Sequence, residues 1–166
     1  MAGTSSGWLR NAAFQRVIWV EKACACVVRR EHLLLFRHPT AGVQIPKGGI
    51  ERGELAIDAA VRELREESGL SLTAAPSYVS TLEFERPPKR GVHGGKVTWQ
   101  RWILFRFDTD ETLPERWQHA AIGGPDEDGL IFDFFWHPLD RSPTQMYPGI
   151  DARYVAATEE IHATPR

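Results

Sequence analysis

Residues Gly48–Leu70 read GGIERGELAIDAAVRELREESGL, a glycine-containing loop that runs directly into an amphipathic segment. Ile57, Ala60, Val61 and Leu64 recur at i, i+3, i+4 and i+7, which predicts a helix from Leu55 to Ser68, with Gly69 as its left-handed C-terminal cap. At one hundred degrees per residue, Glu63, Glu66 and Glu67 fall within an arc of roughly 100°, turned away from that apolar stripe. Like charges at i and i+4 cost about 0.3 kcal/mol on a solvated helix. The cluster is therefore either an acidic face relieved by Arg62 and Arg65 or a cation site. Carboxylate oxygens grouped this way suit Mg²⁺ or Mn²⁺, hard cations that also bridge to phosphate oxygens. Gly48, Gly49 and Gly53 let the preceding backbone turn sharply and approach a ligand closely.

Upstream, Lys22–Arg29 and Leu33–Arg37 are short runs of small and branched apolar residues joined by Arg29–His32, the pattern of a β-hairpin. Val43–Ile45 reads as a further short strand before Pro46. Downstream, Tyr78–Glu85, Val97–Phe107 and Leu130–Trp136 read as strands, the last ended by Pro138. Ile150, Tyr154, Val155, Thr158 and Ile161 form a helical stripe near the C-terminus. Hairpins mixed with helices predict an α/β (α+β) class with a mixed sheet rather than a regularly wound parallel one.

With 166 residues, 42% hydrophobic and 25% charged, the chain has the size and balance of one globular domain over residues 1–166. Residues 1–12 read as a flexible tail, although Trp8, Phe14, Val17, Ile18 and Trp19 suggest that the following stretch packs. A net charge of −2 with interspersed signs gives no field that would gather the protein on nucleic acid or anionic lipid. Apolar runs such as Leu33–Phe36 are far shorter than the roughly 20 residues of a membrane span, and the first ten residues lack a signal-peptide core. The expectation is a cytoplasmic protein, monomeric or homodimeric, with a small-molecule partner and neither nucleic acid nor membrane. Cys24 and Cys26 lack further Cys or His at zinc spacing and read as reduced, buried small side chains.

The positions Gly48, Glu54, Arg62–Glu63–Leu64, Glu66–Glu67 and Gly69–Leu70 together resemble the Nudix box at every specified position. The lead-in Ile45–Pro46–Lys47–Gly48–Gly49, the hairpin before it and the late Phe135–Trp136–His137–Pro138–Leu139 are also similar to that family. The resemblance implies a mixed β-sheet sandwiched between helices, with the box as a catalytic loop–helix–loop. It implies metal-dependent hydrolysis of a phosphoanhydride bond in a nucleoside diphosphate linked to another moiety, with Mg²⁺ (or Mn²⁺) as cofactor. By position, Glu63, Glu66 and Glu67 would be the metal ligands and catalytic residues, with the backbone carbonyl of Lys47 as a further ligand. Glu54 and Arg62 would orient them. The general base would be Glu66 or Glu67, or an acid from the later loop holding Glu115, Asp126, Glu127 and Asp128, of which Glu127 is singled out.

The Pro-Lys-Gly-Gly form resembles subgroups acting on dinucleoside polyphosphates and diphosphoinositol polyphosphates, which makes the Lys47 side chain a candidate substrate contact. Arg86, Lys89, Arg90 and Lys96 lie in a Pro/Gly-rich basic loop and are candidates for holding a nucleotide or polyphosphate tail. Trp99, Trp102, Trp117 and Trp136 offer either a stacking wall for a base or ordinary core, and His119 and Asp126–Asp128 are candidates for the rim of the same cleft. Two alternatives share the box: a housecleaning nucleoside triphosphate pyrophosphatase, and a non-catalytic Nudix-fold nucleotide sensor.

Overall fold

A computed structural model of the chain describes residues 18–86, 98–124 and 127–164. The elements in order are β1 (Ile18–Arg29), β2 (His32–His38), β3 (Gly42–Gln44), β4 (Lys47–Gly49), α1 (Ala56–Ser68), β5 (Ser77–Arg86) and β6 (Thr98–Asp108). They are followed by β7 (Arg116–Ala120), β8 (Ile131–Pro138), a one-turn α2 (Pro143–Met146) and α3 (Ala152–Ala163). The strands form an 8-stranded mixed sheet in the order β5-β6-β1-β2-β8-β7, with β3 hydrogen-bonded to β2 and β4 to β1. The class read from the sequence holds. The expected tail over residues 1–12 lies outside the described residues.

Alternation along β1 organises the core. Cys24, Cys26 and Val28 face one cluster with Trp102, Leu104, Tyr154, Ala157 and Ile161, which is the α3 side. Ala23, Ala25 and Val27 face the other, with Ala59, Ala60, Leu64, Phe132 and Phe134, which is the α1 side. Successive strand residues point to opposite faces, so a strand with helices on both sides must be apolar at every position. The alanines on the α1 side let the helix come close. Cys24 and Cys26 are free and fully buried.

The predicted helix is α1, but its buried side is rotated from the predicted stripe. Val61 is 47% exposed, whereas Ala59 and Glu67 are buried, Glu67 to 4%. A helix in isolation has one apolar face; here β4 folds over the end of α1 and covers a second arc, and that arc contains Glu67. The helix terminus is firmly tied: Gly69 has φ 76°, its N–H donates to the Arg65 carbonyl, and Trp117 Nε1–H donates to the Ser68 carbonyl at 2.9 Å.

Two elements were not legible from the chain. β7 has only Trp117 as a large apolar residue between Arg116, Gln118 and His119, and pairs with β8 as a half-exposed edge. β4 is three residues, Lys47–Gly48–Gly49, held by pairing with Lys22–Cys24 of β1 rather than by its own propensity. Among the described residues no helix is long and apolar enough to cross a membrane.

Candidate active site

The glycine loop and α1 are stitched together by one arginine. Arg62 Nε donates to Glu54 Oε1 at 2.8 Å, and Nη2 donates to Glu54 Oε2 and to the Gly49 carbonyl, both at 2.9 Å. Nη1 donates to Glu63 Oε1 at 2.7 Å and to Glu66 Oε2 at 3.0 Å. Glu54 in turn accepts from the Glu51 N–H at 2.8 Å, closing the loop before the helix. The Arg62 hydrogen bonds, with that backbone bond, hold the Glu54 carboxyl down at about 2. The glutamates raise the Arg62 guanidinium in return.

Glycines in the loop serve two different purposes. Gly53, at φ 83°, makes the turn. Gly48 has an ordinary strand conformation; a Cβ placed on it would lie 1.8 Å from the Glu63 carboxyl carbon. The carboxylate therefore packs on the bare backbone of β4, which no other residue type permits.

Glu67 accepts a hydrogen bond from the Lys47 N–H at 3.1 Å. A strand residue's N–H and C=O leave the same side of the backbone, so the Lys47 carbonyl is also directed toward the helix. Burial pushes the Glu67 carboxyl up to about 8; Lys47 opposes the rise, while the charges of Glu127 and Glu63 add to it. Glu63 is raised too, chiefly by burial and against the pull of Arg62.

Glu63, Glu66, Glu67 and Glu127 border one cleft of about 440 Å³, whose opposite wall is Ala121–Gly124. That wall is hung on the helix by the Ile122 N–H, which donates to the Glu66 carbonyl at 3.0 Å. Gly123 lies beside the Glu66 carboxylate, with a would-be Cβ 3.4 Å from Oε2. The sequence thus brings Glu127 to the box glutamates from a loop more than fifty residues away in the chain.

Among the described residues no three acidic, His or Cys side chains converge closely enough to hold an ion as they stand. Arg62 takes one oxygen of Glu63 and one of Glu66. The donor set nevertheless fits a hard divalent cation: it consists of carboxylates and a carbonyl, and it includes a glutamate that burial pushes toward its neutral form and that a bound cation would favour as the carboxylate.

Other candidates lie elsewhere. The Lys47 ammonium turns to the α3 side, donating to Gln44 Oε1 at 3.1 Å and standing over the Trp102 and Tyr154 rings at 5.5 and 5.2 Å. Arg86 ends β5 opposite Thr98 and does not border the cleft. Lys89, Arg90, Lys96 and Asp126 fall outside the described residues. The tryptophan wall is not formed. Trp102 is 1% exposed, Trp117 stacks on Phe134, Trp136 donates to the Pro114 carbonyl, and Trp99 packs beside Trp19. His119 sits against the helix cap, its Nδ1 2.9 Å from where a Gly69 Cβ would be.

Arg62→Lys is expected to lower kcat/KM by about 10- to 100-fold with an unchanged circular dichroism spectrum. Lysine keeps the charge but has three donors on a flexible stem, too few to hold Glu54, Glu63, Glu66 and the Gly49 carbonyl at once. Steady-state kinetics equal to the parent would show that the arginine does not position the glutamates.

The NUDIX domain model matches residues 20–157, and the chain belongs to the Nudix family. The class so defined is that of the Nudix pyrophosphohydrolases. Among curated relatives, an RNA pyrophosphohydrolase of Agrobacterium fabrum is 31% identical over 126 residues, 71% of this chain and 70% of its own length. A protein of the same name from Psychrobacter cryohalolentis is 36% identical over 109 residues, and the match spans 59% of each chain. Among solved structures, an Ap4A hydrolase of C. elegans superposes with a TM-score of 0.54 at 18% identity, covering 88% of this chain and 98% of that one, which speaks to the fold.

Proposed function

We propose that the cleft hydrolyses a phosphoanhydride bond in a nucleoside diphosphate linked to another moiety, with a dinucleoside polyphosphate as the preferred form. The observation that carries the reading is the convergence of Glu63, Glu66, Glu67 and Glu127 on one cleft, with Arg62 fixing the first two. Glu63, Glu66 and Glu67, with the Lys47 carbonyl, are the residues that would hold Mg²⁺ or Mn²⁺. Such an ion, when bound, supplies positive charge against the anhydride oxygens and a more acidic attacking water.

The remaining work falls to the chain. Glu54 and Arg62 hold Glu63 and Glu66 in place. The Lys47 N–H keeps Glu67 facing the cleft. A carboxylate accepts the proton of the attacking water, and the candidates are Glu67, whose raised pKa makes it a stronger base than an ordinary glutamate, and Glu127 on the wall opposite α1.

A second reading has its own support, since the relatives named above are called RNA pyrophosphohydrolases. In it the linked moiety is the 5′ end of an RNA carrying a triphosphate. The test is product analysis with Mg²⁺ or Mn²⁺ on Ap4A, ADP-ribose, ATP and a short 5′-triphosphate RNA. Release of two nucleotides from Ap4A at the highest kcat/KM is the expected result. Preferential release of pyrophosphate from the RNA would move the substrate to the second reading, and preference for ATP would favour the housecleaning type. No cleavage of any of them would overturn the assignment of catalysis and leave a nucleotide sensor.

A further inference from the structure

The residues of β1 that face α1 form a row that runs on past the helix. Ala23, Ala25 and Val27 lie under α1, and Ala23 is paired with Gly48, the seat of Glu63. Glu21 and then Trp19 continue that row on the same face of the strand. Ile50, which lines the glutamate cleft and packs on the α1-side core, comes immediately after Gly49, the partner of Lys22. Four strand residues span about 13 Å, so Trp19 stands about that far from the Glu63 seat, on the face that carries the cleft.

The Trp19 ring is 42% exposed and yet held in place. Arg101 on β6 sets its guanidinium carbon 4.7 Å from the ring centroid, and Trp99, paired with Trp19 across the parallel ladder, flanks it at 5.7 Å and 41°. Arg101 is itself locked: Nη1 donates to Glu21 Oε1 and Nε donates to Glu83 Oε1, both at 2.9 Å. A guanidinium held between two carboxylates is neutralised, so it backs the indole rather than recruiting a phosphate. Among the described residues Oε2 of Glu21 and of Glu83 accepts no hydrogen bond, which leaves both open to an N–H donor beside the ring. Trp102 is in the core and the Trp117 and Trp136 indole N–H groups are bonded to backbone, whereas Trp19 presents a braced aromatic surface to solvent.

We propose that Trp19 is the stacking platform for the nucleobase on the far side of the scissile anhydride, the second base of a dinucleoside polyphosphate, with Glu21 or Glu83 accepting from its exocyclic amino group. This rests on reading the cleft as a pyrophosphohydrolase site. A ribose and its adjoining phosphates bridge the separation between cluster and ring. Every base has a π-face, so the platform selects for the presence of a second nucleoside rather than for its identity. Trp19 makes and breaks no bond; it is a specificity-determining residue.

The test compares Ap4A with adenosine 5′-tetraphosphate, which has the same four phosphates and no second nucleoside. In Trp19→Ala, kcat/KM for Ap4A is expected to fall about tenfold, while that for adenosine 5′-tetraphosphate stays within about twofold. Trp19→Phe, which keeps a ring, should remain within about threefold of the parent on both, and the melting temperature of either variant within about 3 °C. Equal losses on the two substrates overturn the proposal, because a packing defect has no reason to distinguish them. So does a parent-like Trp19→Ala, or a loss confined to a short 5′-triphosphate RNA, which would assign the ring to a base of RNA instead. Calorimetric titration of both compounds with Mg²⁺ separates this inference from the function it rests on. Trp19-dependent preference for Ap4A in binding, without cleavage by the parent, would sink the proposed function and leave the platform standing; cleavage without that preference would do the reverse.

Discussion

Gly48→Ala is expected to fold and to be nearly inactive. The methyl group would occupy the position of the Glu63 carboxyl, whose carbon and oxygens lie 1.8 to 2.0 Å from it. The obstacle is the far end of a flexible side chain, and the Gly48 backbone is not in the left-handed region, so the polypeptide has a cheap escape: Glu63 swings out. The fold survives, while Arg62 loses one of its carboxylates and the cleft loses a carboxylate proposed as a metal ligand. Catalysis should fall by about 10²-fold or more with a melting temperature within about 3 °C of the parent. Measured activity close to the parent would mean that Glu63 works from outside this pocket; a large loss of melting temperature would mean that the close approach is structural.

Glu67→Gln pulls activity and stability in opposite directions. The substitution removes the carboxylate proposed as ligand and base, and kcat should drop by about 10³-fold. In the metal-free protein the folded carboxyl keeps its proton up to about pH 8, whereas an unperturbed glutamate loses it near 4.5. The folded state therefore binds more protons between those values, and Glu67 makes the metal-free protein less stable as pH rises through that window. Glutamine is free of that effect. Its melting temperature should exceed the parent's by about 5 °C at pH 9 and converge with it near pH 4.5. Metal should reverse the order by stabilising only the parent, with an affinity that falls about tenfold per pH unit below pH 8 as the ion competes with one proton. Equal melting curves at pH 9 without metal would sink the account of Glu67 as a carboxyl raised by burial.

The register of Gly48, Glu54, Arg62, Glu63, Glu66 and Glu67 was legible because loop and helix are contiguous and helical geometry converts spacing directly into position. The distinction among the glutamates was not. Sequence placed all three on a polar arc, yet Glu67 is buried because β4 closes over it, and β4 exists only through pairing with β1. The two glycines likewise looked alike, and only the fold separates Gly53 as a turn from Gly48 as a seat for Glu63. For Trp102, Trp117 and Trp136 the sequence leaves a stacking wall and ordinary core as alternatives, because residue type does not tell which face of a sheet will be covered.

The central position of β1 has a consequence for how the molecule comes into being. It runs parallel to β6 through paired positions from Ile18–Thr98 to Val28–Asp108, partners about eighty residues apart in the chain. Closing so large a loop is an entropic obstacle that local contacts do not offset, and sheets dominated by such pairings form slowly. The box helix and its loop lie inside the segment to be closed. Folding and the maturation of the cleft are thus one event. The box segment alone, without β1 behind it and the Ala121–Gly124 wall opposite it, has the glutamates but not the cleft they border.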